Sequence, residues 1–363
     1  MNNRIEGLLF YLVRVAMILI WLGIIAAFLY SPYLSRFFVN PNSISLYTWA
    51  DVFDLNHIRE FEKSSGIKVN VVYYDSCEEL ISKVELSKGR GYDFLLVNDT
   101  NVPDLINMDL LVPLDKSQIN FWHDLEPNLL HKYYDPTNNY SVPYSLDVCG
   151  LGIDLEKFNN EMPEKSWKLI FDPKIALPKI GMMEEGLRSI GIAAQYLYGN
   201  VPSVNPAQLN EIKNLLISQK KLVEVYTELL GDYLLYSRAC PVVVTPGAFV
   251  YRIMVNDDKI KFLIPQEGGF VVSENFVIMK SCQRPDLVYK FLNFMYQKSM
   301  VRKFVEKTFF LTARKDVLYE MDLSHLGGQS ELLNPSRFEK LGYFKYIAPR
   351  AEISKVWIEV KAS

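Results

Sequence analysis

The fold is decided by the stretch from residue 44 to residue 97, which reads ISLYTWADVFDLNHIREFEKSSGIKVNVVYYDSCEELISKVELSKGRGYDFLLV. It opens with a β-rich segment over 44–49. The next apolar residues, Leu55, Ile58 and Phe61, recur at the spacing of one helical face. The stretch therefore begins with a strand followed by an amphipathic helix.

The same alternation continues to the end of the stretch. Gly66 stands where the C-terminus of a helix favours a positive φ angle. The pattern then predicts a strand over 67–74, a helix over about 77–87 and a fully apolar strand over 92–97. Strands and helices that alternate at this spacing are typical of βαβ units, so we predict an α/β fold with a parallel sheet.

In an open α/β sheet, ligands bind in the loops that follow the carboxyl ends of the strands. The predicted strands place three polar loops at such positions. These loops contain Trp49-Ala50-Asp51, Asn98-Asp99-Thr100 and Glu267-Gly268-Gly269. We therefore expect a binding cleft at this edge of the sheet.

The remainder of the chain continues the α/β pattern over a length that favours two lobes. Asn205-Pro206 predicts a capped helix start, and Pro285 predicts another. With 363 residues, 49% hydrophobic and 22% charged, the chain can bury ample core. A single core of this size would be unusually large, so two lobes are expected.

The N-terminal region has a different composition. Residues 15–30 read VAMILIWLGIIAAFLY without a charge, and Arg4 and Arg14 lie on the N-terminal side of this run. This charge distribution keeps the N-terminus in the cytoplasm and exports the chain that follows. We interpret 1–31 as a signal peptide or an uncleaved signal-anchor helix, and 32–43 as a linker; the sequence leaves cleavage open.

Several function classes find no support in the sequence. The net charge of −3 comes without the basic stripe that nucleic acids require. Neither a nucleophile motif, nor H-E-x-x-H, nor a phosphate-binding loop is present. We therefore expect neither catalysis nor a cofactor. The four cysteines are widely spaced without a C-x-x-C pair, which argues against a metal site but leaves disulfides and simple burial open.

From about Ile44 to the C-terminus, the chain resembles the periplasmic spermidine/putrescine-binding proteins of ABC importers. The order and spacing of several short motifs carry this resemblance. They are Leu46-Tyr47-Thr48-Trp49, Gly66-Ile67-Lys68-Val69, Tyr92-Asp93-Phe94-Leu95, Asp135-Pro136 with Tyr140-Ser141-Val142-Pro143-Tyr144, Ser166-Trp167, and Gln266-Glu267-Gly268-Gly269.

The resemblance implies a two-lobed periplasmic-binding-protein fold of the Venus-flytrap type II, which closes over its ligand. One lobe would comprise 44–152 plus about 274–318, and the other 153–273 plus about 319–363. The implied partners are a small cationic solute, namely a polyamine such as spermidine or putrescine, and ABC permease subunits in the inner membrane. The implied location is the periplasm, with the N-terminal helix as a possible membrane tether.

The resemblance also implies particular ligand contacts. Polyamines need aromatic walls for their methylenes and carboxylates for their ammonium groups. Trp49 retains the aromatic residue after the first strand, and Glu274 keeps an acid after the Glu-Gly-Gly turn. The acids of a predicted helix entry fall at Glu184 and Glu185, where a solvated helix N-terminus is the alternative.

Aromatic residues of the family are missing at Val52, Thr100, Val244 and Val272. Each cation–π contact in a desolvated site contributes about 1–2 kcal/mol, so other groups must substitute or the ligand must differ. We expect substitution by Asp147, Tyr343 or Phe344, with Thr100 remaining at the site. For Asp147, a hydrogen-bonding role at the hinge is the alternative.

Two other functions remain open at this point. The chain could bind a different small solute, such as an amino-acid derivative or another amine. Alternatively, it could be a membrane-tethered sensory or structural domain that retains the fold, which an uncleaved anchor would favour.

Overall fold

The computed structural model describes residues 12–25, 42–49, 52, 55–320 and 341–363. Residues 12–25 form a helix whose side chains are exposed. Over the described ranges, we find no helix with both the length and the apolar character needed to cross a membrane. The rest of the predicted signal segment, most of the predicted linker, and Ala50 and Asp51 lie outside these ranges.

The described strands join in one mixed sheet, and helices cover its faces. The strands are β1 (Ser43–Trp49), β2 (Lys68–Tyr74), β3 (Phe94–Asn98), β4 (Ser141–Asp154), β5 (Ile180–Met182), β6 (Val223–Tyr226), β7 (Val242–Pro246), β8 (Ile260–Leu263), β9 (Phe270–Ile278), β10 (Leu311–Thr312) and β11 (Gly342–Tyr343). The helices are α1 (Leu55–Ser65), α2 (Cys77–Ser87), α3 (Val102–Asn107), α4 (Lys168–Phe171), α5 (Gly186–Tyr198), α6 (Pro206–Gln219), α7 (Gly231–Tyr236), α8 (Gly247–Met254), α9 (Pro285–Met295), α10 (Lys298–Thr308), α11 (Lys315–Glu320) and α12 (Arg350–Ala362).

The main path of the sheet runs β2-β1-β3-β9-β4-β7-β5-β6. β1 lies parallel to β2 and β3, which confirms the predicted βαβ units. β9 is antiparallel to both β3 and β4, so the sheet as a whole is mixed rather than parallel. The early part of β4 pairs with β9, and its last residues pair with β7 and β8. These two long strands therefore connect the two halves of the sheet.

The predicted elements agree closely with those observed. α1 ends just before Gly66, whose φ of 70° lies in the left-handed region. α2 has the predicted bounds, and the Ser76 side chain accepts a hydrogen bond from its third helical N–H. The third strand begins at Phe94, two residues later than predicted. Tyr92, which precedes it, stacks on Tyr47 with ring centroids 4.4 Å apart.

The two proline-initiated helices are also confirmed. Asn205 caps α6 in a capping box, in which its side chain accepts from the N–H of Gln208 and the Gln208 side chain accepts from the N–H of Asn205. Pro285 is the first residue of α9, where its missing N–H has no helical partner to lose.

Several residues of the quoted motifs hold turns together. The buried Asp135 carboxylate accepts hydrogen bonds from the backbone N–H groups of Asn139, Tyr140 and Ser141. Trp167 donates its indole N–H to Gly268 O at 3.1 Å, which joins two motifs that lie about 100 residues apart in the chain. These residues stabilise the fold, because each forms hydrogen bonds with backbone groups in or next to the core.

The buried apolar residues form two hydrophobic cores. The first contains an aromatic cluster in which Phe61 and Phe291 meet edge to face at 5.1 Å. The second surrounds the fully buried Trp167. Each buried phenylalanine contributes about 1.5–3 kcal/mol through loss of apolar contact with water. The exact lobe boundaries stay a prediction, and 321–340 lie outside the described residues.

Candidate functional site

A cleft lies where β1, β3 and β7 reach their carboxyl ends. It has an empty volume of about 870 Å³, including its opening to solvent. Trp49, Asp147 and Glu274, three of the residues predicted from the sequence, line this cleft together.

Strand register brings the polar residues of the cleft together. Glu274 on β9 lies opposite Asn98 on β3 and opposite Ser145 on β4. Directly opposed residues of neighbouring strands project on the same face of a sheet. Residues from distant parts of the chain therefore share one face at the centre of the cleft.

Trp49 is held in a fixed orientation at the end of β1. Its indole N–H donates to Asn98 Oδ1 at 2.9 Å, and its ring packs against Tyr74 with centroids 4.5 Å apart. The side chain is 8% exposed. Because both contacts restrict the ring, Trp49 forms a rigid apolar wall of the cleft.

Glu274 carries a buried carboxylate without a full set of partners. The residue is 9% exposed, and its Oε2 accepts no hydrogen bond from the described part of the chain. Burial raises the pKa of Glu274 to about 8, Arg188 opposes this rise, and Asp99 adds to it. A buried carboxylate in this state either holds a proton or needs a cation.

Asp147 combines a position in the cleft with a structural role. Its Oδ2 accepts from the N–H of Ala248 at 2.9 Å, in the first turn of α8, and its Oδ1 accepts from the N–H of Val148. Burial raises the pKa of Asp147 to about 7, and the hydrogen bonds and Arg252 oppose this rise. The predicted hydrogen-bonding alternative thus describes part of its role.

Arg188 is a buried cation that the sequence analysis did not identify. Its Nη1 lies 3.0 Å from Glu228 Oε2. Its Nε lies 2.9 Å from Glu185 Oε2, an ion pair whose angle falls outside hydrogen-bond geometry. Burial alone would lower the pKa of Arg188, but Glu228 and Glu185 raise it, so the guanidinium stays charged. Arg188 and Glu228 line the cleft.

The packing of the α5 start fixes the position of Arg188. A Cβ atom at Gly186 would lie 2.5 Å from Cγ of Trp357, so only glycine permits this close approach. The preceding Glu185 is largely buried and forms an ion pair with Arg188 from outside the cleft lining. Burial raises the pKa of Glu185 to about 7. Glu184 is exposed and lies away from the cleft lining.

Two phenylalanines form aromatic walls of the cleft that the sequence analysis missed. Phe249 on α8 and Phe310 before β10 have ring centroids 6.3 Å apart, and both line the cleft. Val52 and Val272 also line it, whereas Val244 is buried in the second core. The cleft therefore has aromatic walls, but at other sequence positions than those where the family has its aromatic residues. Phe249 could have been predicted from the sequence, because it follows the end of β7 and cleft residues follow strand ends.

The other predicted contacts lie elsewhere. Thr100 donates its hydroxyl to Asn101 Oδ1 and is absent from the cleft lining. Phe344 stacks on Phe270 with centroids 4.2 Å apart, and Tyr343 lines a separate cavity near Tyr133. Their roles as ligand contacts, like that of Glu184, stay predictions.

The described residues contain no cluster of three or more His, Cys, Asp or Glu side chains arranged to hold a metal ion. All four cysteines are free thiols; Cys77, Cys149 and Cys240 are buried, and Cys282 is partly buried. Of the two alternatives that the sequence left open for the cysteines, the structure shows burial rather than disulfides.

Curated relatives with similar sequences bind polyamines. The chain is 25% identical over 277 residues to the putrescine/agmatine-binding protein of Pseudomonas aeruginosa, which covers 72% of this chain and 75% of the relative. It is 24% identical over 315 residues to the putrescine-binding periplasmic protein PotF of Escherichia coli K12, covering 81% and 84%.

Solved structures share the fold. The spermidine/putrescine ABC transporter substrate-binding protein PotD from Streptococcus pneumoniae superposes with a TM-score of 0.76 at 20% identity, covering 88% of this chain and 99% of that protein. The bacterial extracellular solute-binding protein model matches residues 56–324, well over half of the chain. The chain therefore belongs to the family of bacterial extracellular solute-binding proteins.

Proposed function

We propose that this chain is the solute-binding component of an ABC importer and that it captures a polyamine in the cleft. The observation that carries this proposal is the buried Glu274 carboxylate, whose Oε2 has no hydrogen-bond partner in the described chain. A ligand ammonium at this position would supply both the missing donor and the missing positive charge.

The apolar walls suit the other part of such a ligand. Trp49, Phe249 and Phe310 present aromatic surface to the same cleft as Glu274. Methylene chains gain from leaving water against such surface, and each nearby ammonium gains about 1–2 kcal/mol from a cation–π contact. Apolar walls beside a buried carboxylate suit an alkyl amine better than an inorganic cation, which has no apolar surface to bury. The names of the relatives support the same ligand class.

Capture is followed in this proposal by delivery to permease subunits in the inner membrane, without covalent chemistry. The two long strands β4 and β9 connect the halves of the sheet, so bending at these strands would open and close a type II cleft. We place the protein in the periplasm, with the apolar N-terminal segment directing export and serving as a tether if it is retained. A reporter that is active only outside the cytoplasm, fused after Ser363, is expected to be active; an inactive reporter at normal expression would contradict this location.

The ligand class can be tested on protein as it is purified. Native mass spectrometry without added ligand is expected to detect a small amine bound at one equivalent, since Glu274 Oε2 is the one buried carboxylate oxygen of the cleft lining that has no partner in the described chain. Thr100→Val, which alters a residue outside the cleft lining, is a matched control and is expected to retain the same mass shift. If a neutral or anionic solute bound instead, the polyamine assignment would be wrong.

The raised pKa of Glu274 predicts that amine affinity increases with pH. Without ligand, Glu274 holds its proton below about pH 8, and it must lose that proton to accept an ammonium. Between pH 6 and pH 8 the affinity is therefore expected to rise by up to about tenfold per pH unit. It should level off above pH 8, until the amines themselves lose protons near pH 10. Titration calorimetry at several pH values measures this slope.

Glu274→Gln is the control for the pH dependence. It removes this titrating group, so a weaker slope is expected to remain from Asp147 and Glu185, whose pKa values are each about 7. An equal slope in wild type and variant would assign the pH dependence to another group.

A further inference from the structure

The charges that line the cleft suit a ligand with two positive charges. Among the described lining residues are four carboxylates and two guanidiniums, which leave an excess of two negative charges when all are ionised. The carboxylates belong to Asp147, Glu228, Asp232 and Glu274, and the guanidiniums to Arg188 and Arg252.

Arg188 already neutralises acids that an ammonium group would otherwise contact. Its guanidinium forms ion pairs with Glu228 and with Glu185 behind it. The Arg188 side chain is 8% exposed, so these pairs are poorly screened by solvent. The same guanidinium lies 5.5 Å from the ring centroid of Phe344. The face of this ring, which could attract a ligand cation, is therefore already in contact with Arg188.

Two carboxylates remain for the ends of a ligand. Glu274 lies inside the cleft with an unpartnered Oε2. Asp232 lines both the cleft and a neighbouring surface depression, so it lies towards the outside. Asp147 is less available because the N–H of Ala248 and its own neighbour Val148 occupy its oxygens.

We propose that Arg188 is a specificity-determining residue that acts as an internal cation and restricts the cleft to diamines. This inference rests on the proposed function and narrows it to one class of amine. A triamine brings a third ammonium group, which finds Glu228 already paired and meets the like charge of Arg188. A buried like charge of this kind discriminates most strongly against the ligand whose ammonium group must lie beside it.

The test compares putrescine with spermidine by titration calorimetry on the full chain. Wild type is expected to bind putrescine at least about tenfold more tightly than spermidine. Arg188→Gln, which leaves three excess negative charges in the same set of residues, is expected to shift the ratio of affinities towards spermidine by about tenfold or more. Arg188→Lys keeps the charge and should retain the preference for putrescine.

The alternative outcomes separate this inference from the proposed function. If wild type binds both amines and prefers spermidine, or binds them equally, the inference is wrong and polyamine binding stands. If neither of these two amines binds, the inference is wrong; if no other small amine binds either, the proposed function itself fails. A purely structural role for Arg188 would lower both affinities in Arg188→Gln by the same factor, which would also overturn the inference. If Arg188→Gln does not fold, Arg188→Gln/Glu185→Gln removes one of the two uncompensated acids and is measured in its place, with the ratio still expected to shift.

Discussion

Trp49→Ala is expected to weaken putrescine binding by about 2–4 kcal/mol, which corresponds to a loss of affinity of about 30- to 1,000-fold. The substitution removes a wall of the cleft and, with it, both apolar contact and cation–π attraction. The loss should be large because the Asn98 hydrogen bond and the Tyr74 packing hold the ring in place before ligand binds. Titration calorimetry measures the change.

Trp49→Phe provides the matched control. It keeps an aromatic face but lacks the donor to Asn98 Oδ1, so we expect a smaller loss than for Trp49→Ala. If alanine and phenylalanine variants bind as wild type does, Trp49 packs within the lobe without contacting the ligand.

Glu274→Gln is expected to reduce putrescine affinity by about 1–3 kcal/mol. Glutamine keeps the size of the side chain but replaces a charge-assisted hydrogen bond with a neutral one. The effect should be largest near pH 8 and above, where wild-type Glu274 is ionised, and smaller at pH 6, where it holds a proton.

Glu184→Gln makes the same chemical change at an exposed glutamate outside the cleft lining. The geometry of the cleft predicts no change in affinity for this variant. An equal loss in both variants would support the contact that the family resemblance implied for Glu184, and would question the cleft described above.

Local sequence patterns were sufficient to predict the first three strands and the helices between them. The spacing of apolar residues identified β1 to β3 and their helices, because period and caps are properties of neighbouring residues. The rule that ligands bind after strand ends then located Trp49 and Asn98 at the cleft. Glu274 came from the family resemblance, and the strand register explains why it meets Asn98.

The remaining parts of the site depend on contacts between distant residues. Arg188 and Glu228 lie 40 residues apart, and no periodic pattern reports their ion pair. Phe249 and Phe310 meet only because α8 and the segment before β10 face the same cleft. A sequence with many aromatics cannot show which of them line a cavity and which fill a core. Phe344 illustrates the second case, since it stacks on Phe270 within the second core.

Several residues of the motifs that indicated the family have structural roles and do not line the cleft. Asp135, Trp167 and Glu267 were informative about the family, yet they stabilise turns and join loops instead of lining the cleft. A backbone that must satisfy its buried N–H groups in one particular way restricts the side chains that can do so. Such residues therefore mark the fold more reliably than they mark the ligand.

We propose above all that the cleft binds an alkyl amine through the positive charge of the amine. Titration calorimetry of the wild-type protein at pH 8 with putrescine and with 1,4-butanediol tests this most directly, because both ligands have the same four-carbon chain and only putrescine is charged. We expect saturable binding of putrescine at one site and no measurable binding of the diol. Equal binding of the two compounds, or the absence of binding by putrescine, spermidine and other small amines alike, would contradict it.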